Sequence, residues 1–329
     1  MGDLFIPILN QMIFLFVLII IGFILSKWKF VPENSATVLS KLENIIFVPA
    51  LVMGTFIEKC TLETLSSAWK LLLLGLILAL ILIPISLFAA KLCFKEKFLQ
   101  NIAAYGLAFS NFAFMGNAIM SAVFPNIFFE YTIFTLPLWF MIYLWGAPVL
   151  LIGGSSEESN KTAEKSGKQS FASRMKAFIN PMLIGMLIGM VIGLIGLKLP
   201  KPVLKVITVS GDCMSPIAML LTGMTIAKIN ILEMLKKWRL YIATIVKLAI
   251  YPLIYILIFA FVPQNGFLNA TAITCMMCVM CMPMGLNAIV IPAAYGKDTS
   301  DAAGLALISH LLSVISIPLF FMLFQAVVL

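Results

Sequence analysis

Two short stretches set amides beside glycines inside otherwise apolar runs. The first reads Ser110-Asn111-Phe112-Ala113-Phe114-Met115-Gly116-Asn117-Ala118-Ile119, the second Cys281-Met282-Pro283-Met284-Gly285-Leu286-Asn287-Ala288-Ile289. Carboxamides and freed backbone groups cannot break covalent bonds, but they can donate hydrogen bonds to an anion. In lipid such irregular backbone is tolerated only where it faces protein or a water-filled cavity. One interruption in each half of a chain points to the binding site of an inverted-repeat transporter. Asn111, Asn117 and Asn287 are the candidate donors, with Gly116, Pro283 and Gly285 supplying the irregular backbone. The competing role for each asparagine is an amide bridging two helices with no ligand.

Asn44, Lys247 and His310 form a second rank of candidates, for substrate or coupling. Lys247 falls well inside an apolar run, where an ionisable group is a functional candidate by default; a lysine there can also snorkel to the interface. His310, the sole histidine, lies between Ser309 and Ser313 and could carry a proton. Glu43 and Asp212 lie towards helix ends and read as interfacial.

Catalysis and metal chemistry have little to stand on. With one histidine, no H-E-x-x-H and no nucleophile–base pair, the sequence does not read as an enzyme. Cys275, Cys278 and Cys281 spell C-x-x-C-x-x-C, part of an iron–sulfur pattern, but inside an apolar helix without a fourth ligand. They read as small side chains on one helix face, so no metal and no cofactor are expected. Cys60, Cys93 and Cys213 suggest no disulfide framework.

The elements that position these residues follow from composition. Of 329 residues 62% are hydrophobic and 11% charged, and the mean hydropathy is +1.09. A soluble domain is about half apolar and a quarter charged. The expected class is therefore an all-α polytopic membrane protein in a lipid bilayer. Apolar runs occur at roughly 5–26, 38–57, 69–92, 99–123, 128–152, 180–197, 203–227, 238–262, 268–294 and 302–328, each long enough for a hydrocarbon core of about 30 Å. The polar stretch 153–179 cuts these ten into a repeat at 1–152 and another at 180–329. The opening Met1-Gly2-Asp3-Leu4 lacks a basic signal region, so the first run is expected to be retained.

The net charge of +8 does not point to nucleic acid, because the basic residues lie in short loops and form no face with aromatics interleaved. Sixteen of them fall on one side of the ten runs and five on the other, with Lys247 inside a run. By the positive-inside rule the central linker is cytoplasmic and both termini are extracellular, in the cell membrane. Five runs per half then give the halves opposite orientations. Prolines echo this arrangement: Pro7 pairs with Pro181, Pro49 with Pro216, Pro84 with Pro252 and Pro137 with Pro318, at offsets of roughly 170–180 residues. Gly185, Gly189 and Gly193 repeat every fourth residue and belong to close helix packing, with a dimer contact one candidate.

Several pieces resemble the auxin efflux carrier family: Asn44…Pro49-Ala50-Leu51, Ser110-Asn111…Phe114-Met115-Gly116, and Met282-Pro283…Asn287-Ala288. So do Ala293…Tyr295-Gly296…Asp298 and Ser309…Leu312-Ser313…Pro318-Leu319. The resemblance covers essentially the whole chain. It implies ten helices in two inverted repeats, with helices 4 and 9 broken and crossing at the midplane. A scaffold of helices 1, 2, 6 and 7 would support a transport part, helices 3–5 and 8–10, moving by an elevator-type mechanism. It also implies small organic anions as substrates, either malate- or malonate-like carboxylates or auxin-like weak acids, and it admits a homodimer.

Two departures bear on the breaks. Many members carry prolines where this chain has Ala118 and Ala288, so softer breaks are expected. The short linker points towards bacterial-type carboxylate transport. The rival within transport is a sodium-coupled symporter of the related bile-acid type, disfavoured because neither interrupted stretch holds an acid. A channel, or a ligand-sensing receptor on a transporter fold, is the rival outside it.

Overall fold

The computed structural model describes residues 4–152, 181–294 and 299–329. The expected linker at 153–179 and the family-like Tyr295, Gly296 and Asp298 lie outside the described residues. All regular structure among those described is helical. Helix α1 spans Phe5–Lys27; α2 (Ser35–Leu42) runs through a π turn, Glu43–Phe47, into α3 (Val48–Lys59). Helix α4 covers Leu62–Cys93 and starts at a capping box, the Thr61 and Thr64 side chains each serving the other's backbone N–H. Next come α5 (Lys97–Ala108), α6 (Asn117–Val123) and α7 (Phe128–Met141), the last passing into a π-helical segment, Ile142–Ile152.

The second half holds α8 (Pro181–Ile195), α9 (Lys201–Asp212), α10 (Met214–Ile226), the short α11 (Ile231–Lys236) and α12 (Trp238–Ile245). A π turn, Val246–Ile250, joins α12 to α13 (Tyr251–Phe261). Helices α14 (Ala270–Cys281), α15 (Asn287–Ala294) and α16 (Ser300–Val327) complete the chain.

Six helical stretches are long and apolar enough to cross a membrane: Phe5–Lys27, Ser35–Lys59, Ala68–Cys93, Lys201–Ile226, Trp238–Phe261 and Ser300–Val327. A seventh arises if Phe112–Val123 and Pro125–Met141, bent by 119° at their junction, form one span. Pro181–Ile195 and Ala270–Cys281 are shorter apolar helices. Ten continuous spans are not seen: two of the expected runs are cut internally, the run at 180–197 is the shorter helix Pro181–Ile195, and the run at 128–152 is α7 followed by its π-helical segment. Between α5 and α6 regular α-helix stops at Ala108, and between α14 and α15 it stops at Cys281.

Two helix pairings form much of the first layer: α1 against α10, and α3 against α8. Both rest on glycine. A Cβ on Gly22 would stand 2.1 Å from the Leu220 carbonyl oxygen, and one on Gly223 would stand 1.9 Å from that of Ile19. Gly185 and Gly189 approach the Pro49 and Met53 carbonyl oxygens in the same way. The four-residue glycine repeat therefore faces α3 of the same chain, which corrects the dimer contact considered from sequence. Small residues at this spacing let backbones touch, the packing available where lipid removes the hydrophobic drive between helices.

A second layer contains α4, α5 and α7, and on the other side α12, α13, α14 and α16. Large apolar side chains such as Ile13, Leu80, Phe88, Ile254 and Ile315 point outward, as a lipid-facing belt requires. Glu43 departs from expectation: it is not interfacial but fully buried, on the π turn between α2 and α3, and neither carboxylate oxygen has a hydrogen-bond partner among the described residues. An extra residue in a helical turn rotates the side chains beyond it, so a charge near a helix end can be carried inward. Asp212 is exposed, as expected.

The glycine contacts give a direct expectation. Gly223→Val should cost the ~1–3 kcal/mol of stability typical of overpacking and so lower the thermal midpoint of the purified protein. Gly266→Ala, where the added carbon meets nothing within 4 Å, should leave it unchanged. Equal midpoints for the two variants would contradict the packing described.

Candidate functional site

The interruptions after α5 and α14 meet. Ser110 and Met284 form an antiparallel β-bridge, and the Asn111 backbone N–H donates to the Pro283 carbonyl at 2.7 Å. These two bridge residues stand 174 positions apart (284 − 110 = 174), the same spacing that relates Pro7 to Pro181. The two extended segments, one from each half of the chain, are paired in space.

Each half-helix end leaves carbonyls without an intrahelical partner, and the surrounding side chains meet them individually. Ser110 Oγ donates to the Val279 carbonyl at 2.9 Å. Lys247 Nζ lies 3.4 Å from the Leu107 carbonyl oxygen. Tyr131 Oη on α7 donates to the Phe112 carbonyl at 2.8 Å. On the facing strand, Met284 N–H donates to Ser309 Oγ at 3.3 Å, and that hydroxyl donates to Ala306 O at 3.1 Å. Nearly every buried backbone group must find such a partner, and here α7, α16 and the turn carrying Lys247 supply them.

The glycines act differently from expectation. Gly116 has ordinary helical dihedrals (φ −62°, ψ −46°) and lies in a π turn, Phe112–Gly116, after the interruption rather than in it. Its need is space, since a Cβ would fall 2.2 Å from Tyr131 Oη. A Cβ on Gly285 would fall 2.7 Å from the Phe109 carbonyl oxygen, so close approach of the two strands requires glycine there. Pro283 lies in the second strand and accepts the bond from Asn111. No proline is needed at Ala118 or Ala288, because the helices end before either position.

The candidate amides divide. Asn111 is 2% exposed, and its Nδ2 lies 3.0 Å from His310 Nε2, while His310 Nδ1 lies 2.7 Å from Ala306 O. With Nδ1 protonated and donating to that carbonyl, Nε2 is the acceptor of the Asn111 amide. His310 is therefore tied to the crossing, a link that sequence distance hides. Asn117 opens α6 and is buried at 7% exposure. Asn287 opens α15, is half-buried, and its carboxamide has no hydrogen-bond partner among the described residues. Asn44 lies elsewhere: its amide donates to Ser40 O, 2.7 Å away on its own helix, and the π turn that carries it packs against α8, α9 and α10.

Lys247 does not snorkel. It is 0% exposed, on the π turn between α12 and α13, with Nζ 5.4 Å from the Tyr251 ring centroid. Neither ion pair among the described residues involves it. Cys275, Cys278 and Cys281 are free and buried, and no group of three metal-ligating side chains is found among the described residues. Ser110, Tyr131 and Ser309, which complete the crossing, were not candidates from sequence. Ser110 is adjacent to Asn111 and could have been weighed; nothing in the sequence marks Tyr131.

A crevice of about 400 Å³ lies between α3, α9 and the α6–α7 junction, lined by Thr55, Ser121, Asn126, Thr208, Glu58, Lys59 and Asp212 among others. It is polar where it meets α6, the helix that Asn117 opens.

A search of the curated proteins returned no match. The model of one family, described as membrane transport protein, matches residues 7–321, which take in both interrupted stretches and every candidate side chain. This chain, a multi-pass membrane protein with paired helix interruptions, belongs to the membrane transport protein family, that of the auxin efflux carriers.

Proposed function

We propose that the protein is a secondary transporter of small organic acid anions, working by alternating access around the crossing of the two interrupted stretches. In this reading α5 with α6 is one interrupted span and α14 with α15 another, which makes ten spans in two inverted five-helix repeats. The observation that supports it is the Ser110–Met284 bridge, which brings the break of one half into contact with the break of the other.

The second halves of both spans begin beside that bridge. Each start carries roughly +0.5 of an elementary charge from its aligned peptide dipoles. A carboxylate there gains about 0.3–2 kcal/mol from each terminus, whereas taking it from water costs several kcal/mol. Hydrogen-bond donors must make up part of the difference. Asn287 is the first of them, because its amide is half-buried and partner-free among the described residues; Asn117 holds the equivalent position on the other side, and Gly116, Pro283 and Gly285 shape the backbone around them. Asn111 acts through His310, holding the crossing while its backbone shapes the site. A weak, releasable site suits a carrier, since anything bound tightly would not leave.

The layers support a division of labour. Helices α1, α3, α8 and α10, locked by backbone-to-backbone glycine contacts, serve as the scaffold, and the layer bearing the crossing serves as the transport part. The crevice between α3, α9 and α6 is where the two would slide, and it sits on the face the charge bias makes extracellular. The cell membrane, the cytoplasmic linker and the extracellular termini follow from the same bias.

The test is counterflow of a labelled dicarboxylate in proteoliposomes, competed by a panel of mono- and dicarboxylates. Saturable exchange with competition by small acids is expected; ion currents of channel size, or no exchange with any acid, would remove this reading. Asn287→Ala should raise KM about tenfold, the equivalent of losing roughly 1.4 kcal/mol, with an unchanged thermal midpoint. Asn111→Ala should lower both transport and midpoint, because it strands His310 at a cost of about 1–3 kcal/mol. An Asn287 variant with wild-type KM would take that residue out of the site.

A further inference from the structure

A buried ammonium with no acid beside it among the described residues needs an account. Lys247 is fully enclosed, and its one hydrogen-bonding neighbour among those residues is the Leu107 carbonyl, in the last turn of α5. The carbonyls of that turn lack intrahelical partners and form the negative end of the helix dipole. The other interrupted span contributes too, since α14 packs against the π turn that carries Lys247. A third contact is the face of Tyr251, within the range where a ring attracts a cation. Ser86 Oγ holds the Tyr251 hydroxyl at 3.0 Å, fixing that ring from α4.

In carriers built on broken helices, half-helix C-termini and unwound carbonyls are the groups that coordinate a coupling sodium ion or proton. Here one such carbonyl faces an ammonium that belongs to the chain itself. We propose that Lys247 is a resident cation: its Nζ stands where a carrier of this build would otherwise take a coupling sodium ion, so that sodium is not required for anion transport. A sodium ion needs several oxygen ligands at short range, and a fixed ammonium on the Leu107 carbonyl repels it. When Lys247 is protonated, its charge belongs to the protein and lowers the cost of holding an anion at the nearby crossing. This rests on the carrier reading above.

The test uses the purified full-length protein in sodium chloride and in choline chloride at equal ionic strength. The wild-type thermal midpoint should be the same in both. Lys247→Ser opens the space and frees the carbonyl, and Lys247→Asp adds a carboxylate ligand; in both, sodium should raise the midpoint by at least about 2 °C, as an ion that binds the folded state alone does. A lysine that merely packs or caps would leave all three proteins indifferent to sodium. Folded variants insensitive to sodium would overturn the proposal, as would a wild-type midpoint that rises with sodium. If neither variant folds, wild-type exchange in proteoliposomes decides: equal rates in sodium and choline support a resident cation, and sodium-dependent rates overturn it. The midpoints require no substrate, so failure to find a transported acid would count against the carrier reading alone.

Discussion

The structure is governed by what happens to backbone polar groups where a helix stops away from water. An unpaired peptide group buried in an apolar setting costs energy comparable to a lost hydrogen bond or more. Two stops in isolation would each be costly. Brought together, the stops after Ala108 and Cys281 share the burden: one strand's N–H meets the other's carbonyl, and the carbonyls left over are met by Ser110, Tyr131 and Lys247. Side chains from the break itself, from α7 and from the π turn of Lys247 therefore converge on one point. Ser110, Asn111, Lys247, Ser309 and His310 are all buried there, within a core that is otherwise largely aliphatic, aromatic and methionine-rich.

Much of this was legible in the sequence, and the limits have physical causes. Apolar length gives spans, because a bilayer demands it. Amides and glycine inside such lengths give the breaks, because lipid forbids them anywhere else. The precise stop was not legible. Gly116 was the obvious breaker, yet the helix ends eight residues earlier at Ala108, and Gly116 is needed only to admit Tyr131. A residue's type records that space or freedom is required, without recording which neighbour makes the demand. The fate of Glu43 and Lys247 was hidden for a related reason. Both sit on π turns, and one extra residue per turn swings the side chains beyond it towards another face. Periodicity read at 3.6 residues per turn places them wrongly, Glu43 at the interface and Lys247 free to reach it.

Long-range pairing was the other blind spot. Nothing near Asn111 announces His310, 199 residues away, and nothing near Ser110 announces Val279. The repeat offset could have suggested the second pairing, since equivalent breaks in inverted halves are drawn together. It could not have suggested the first, which joins a broken span to α16. The crossing pairs backbone with backbone, while the side chains on its two strands differ in asymmetric fashion. On the first strand a histidine accepts from the amide, whereas on the second the corresponding region offers Asn287 with nothing attached among the described residues.

That asymmetry suits the proposed chemistry. A site made of two identical, fully satisfied halves would be a strut, rigid and closed to ligands. A site with no satisfied half would not hold the crossing at all, because each loose amide would compete with the backbone for its partners. Here one amide is given over to structure, with Asn111 locked through His310 to the Ala306 carbonyl, and Asn287 is kept as a donor for use. The glycine contacts of α1 with α10 and of α3 with α8 repeat the same division on a larger scale. Backbone contact of this kind also joins α4 to α7, where a Cβ on Gly75 would stand 2.1 Å from the Phe134 carbonyl oxygen, so each layer is held together internally. Under the proposed carrier reading the two layers move as units across the polar crevice, with whatever the spare amide has bound.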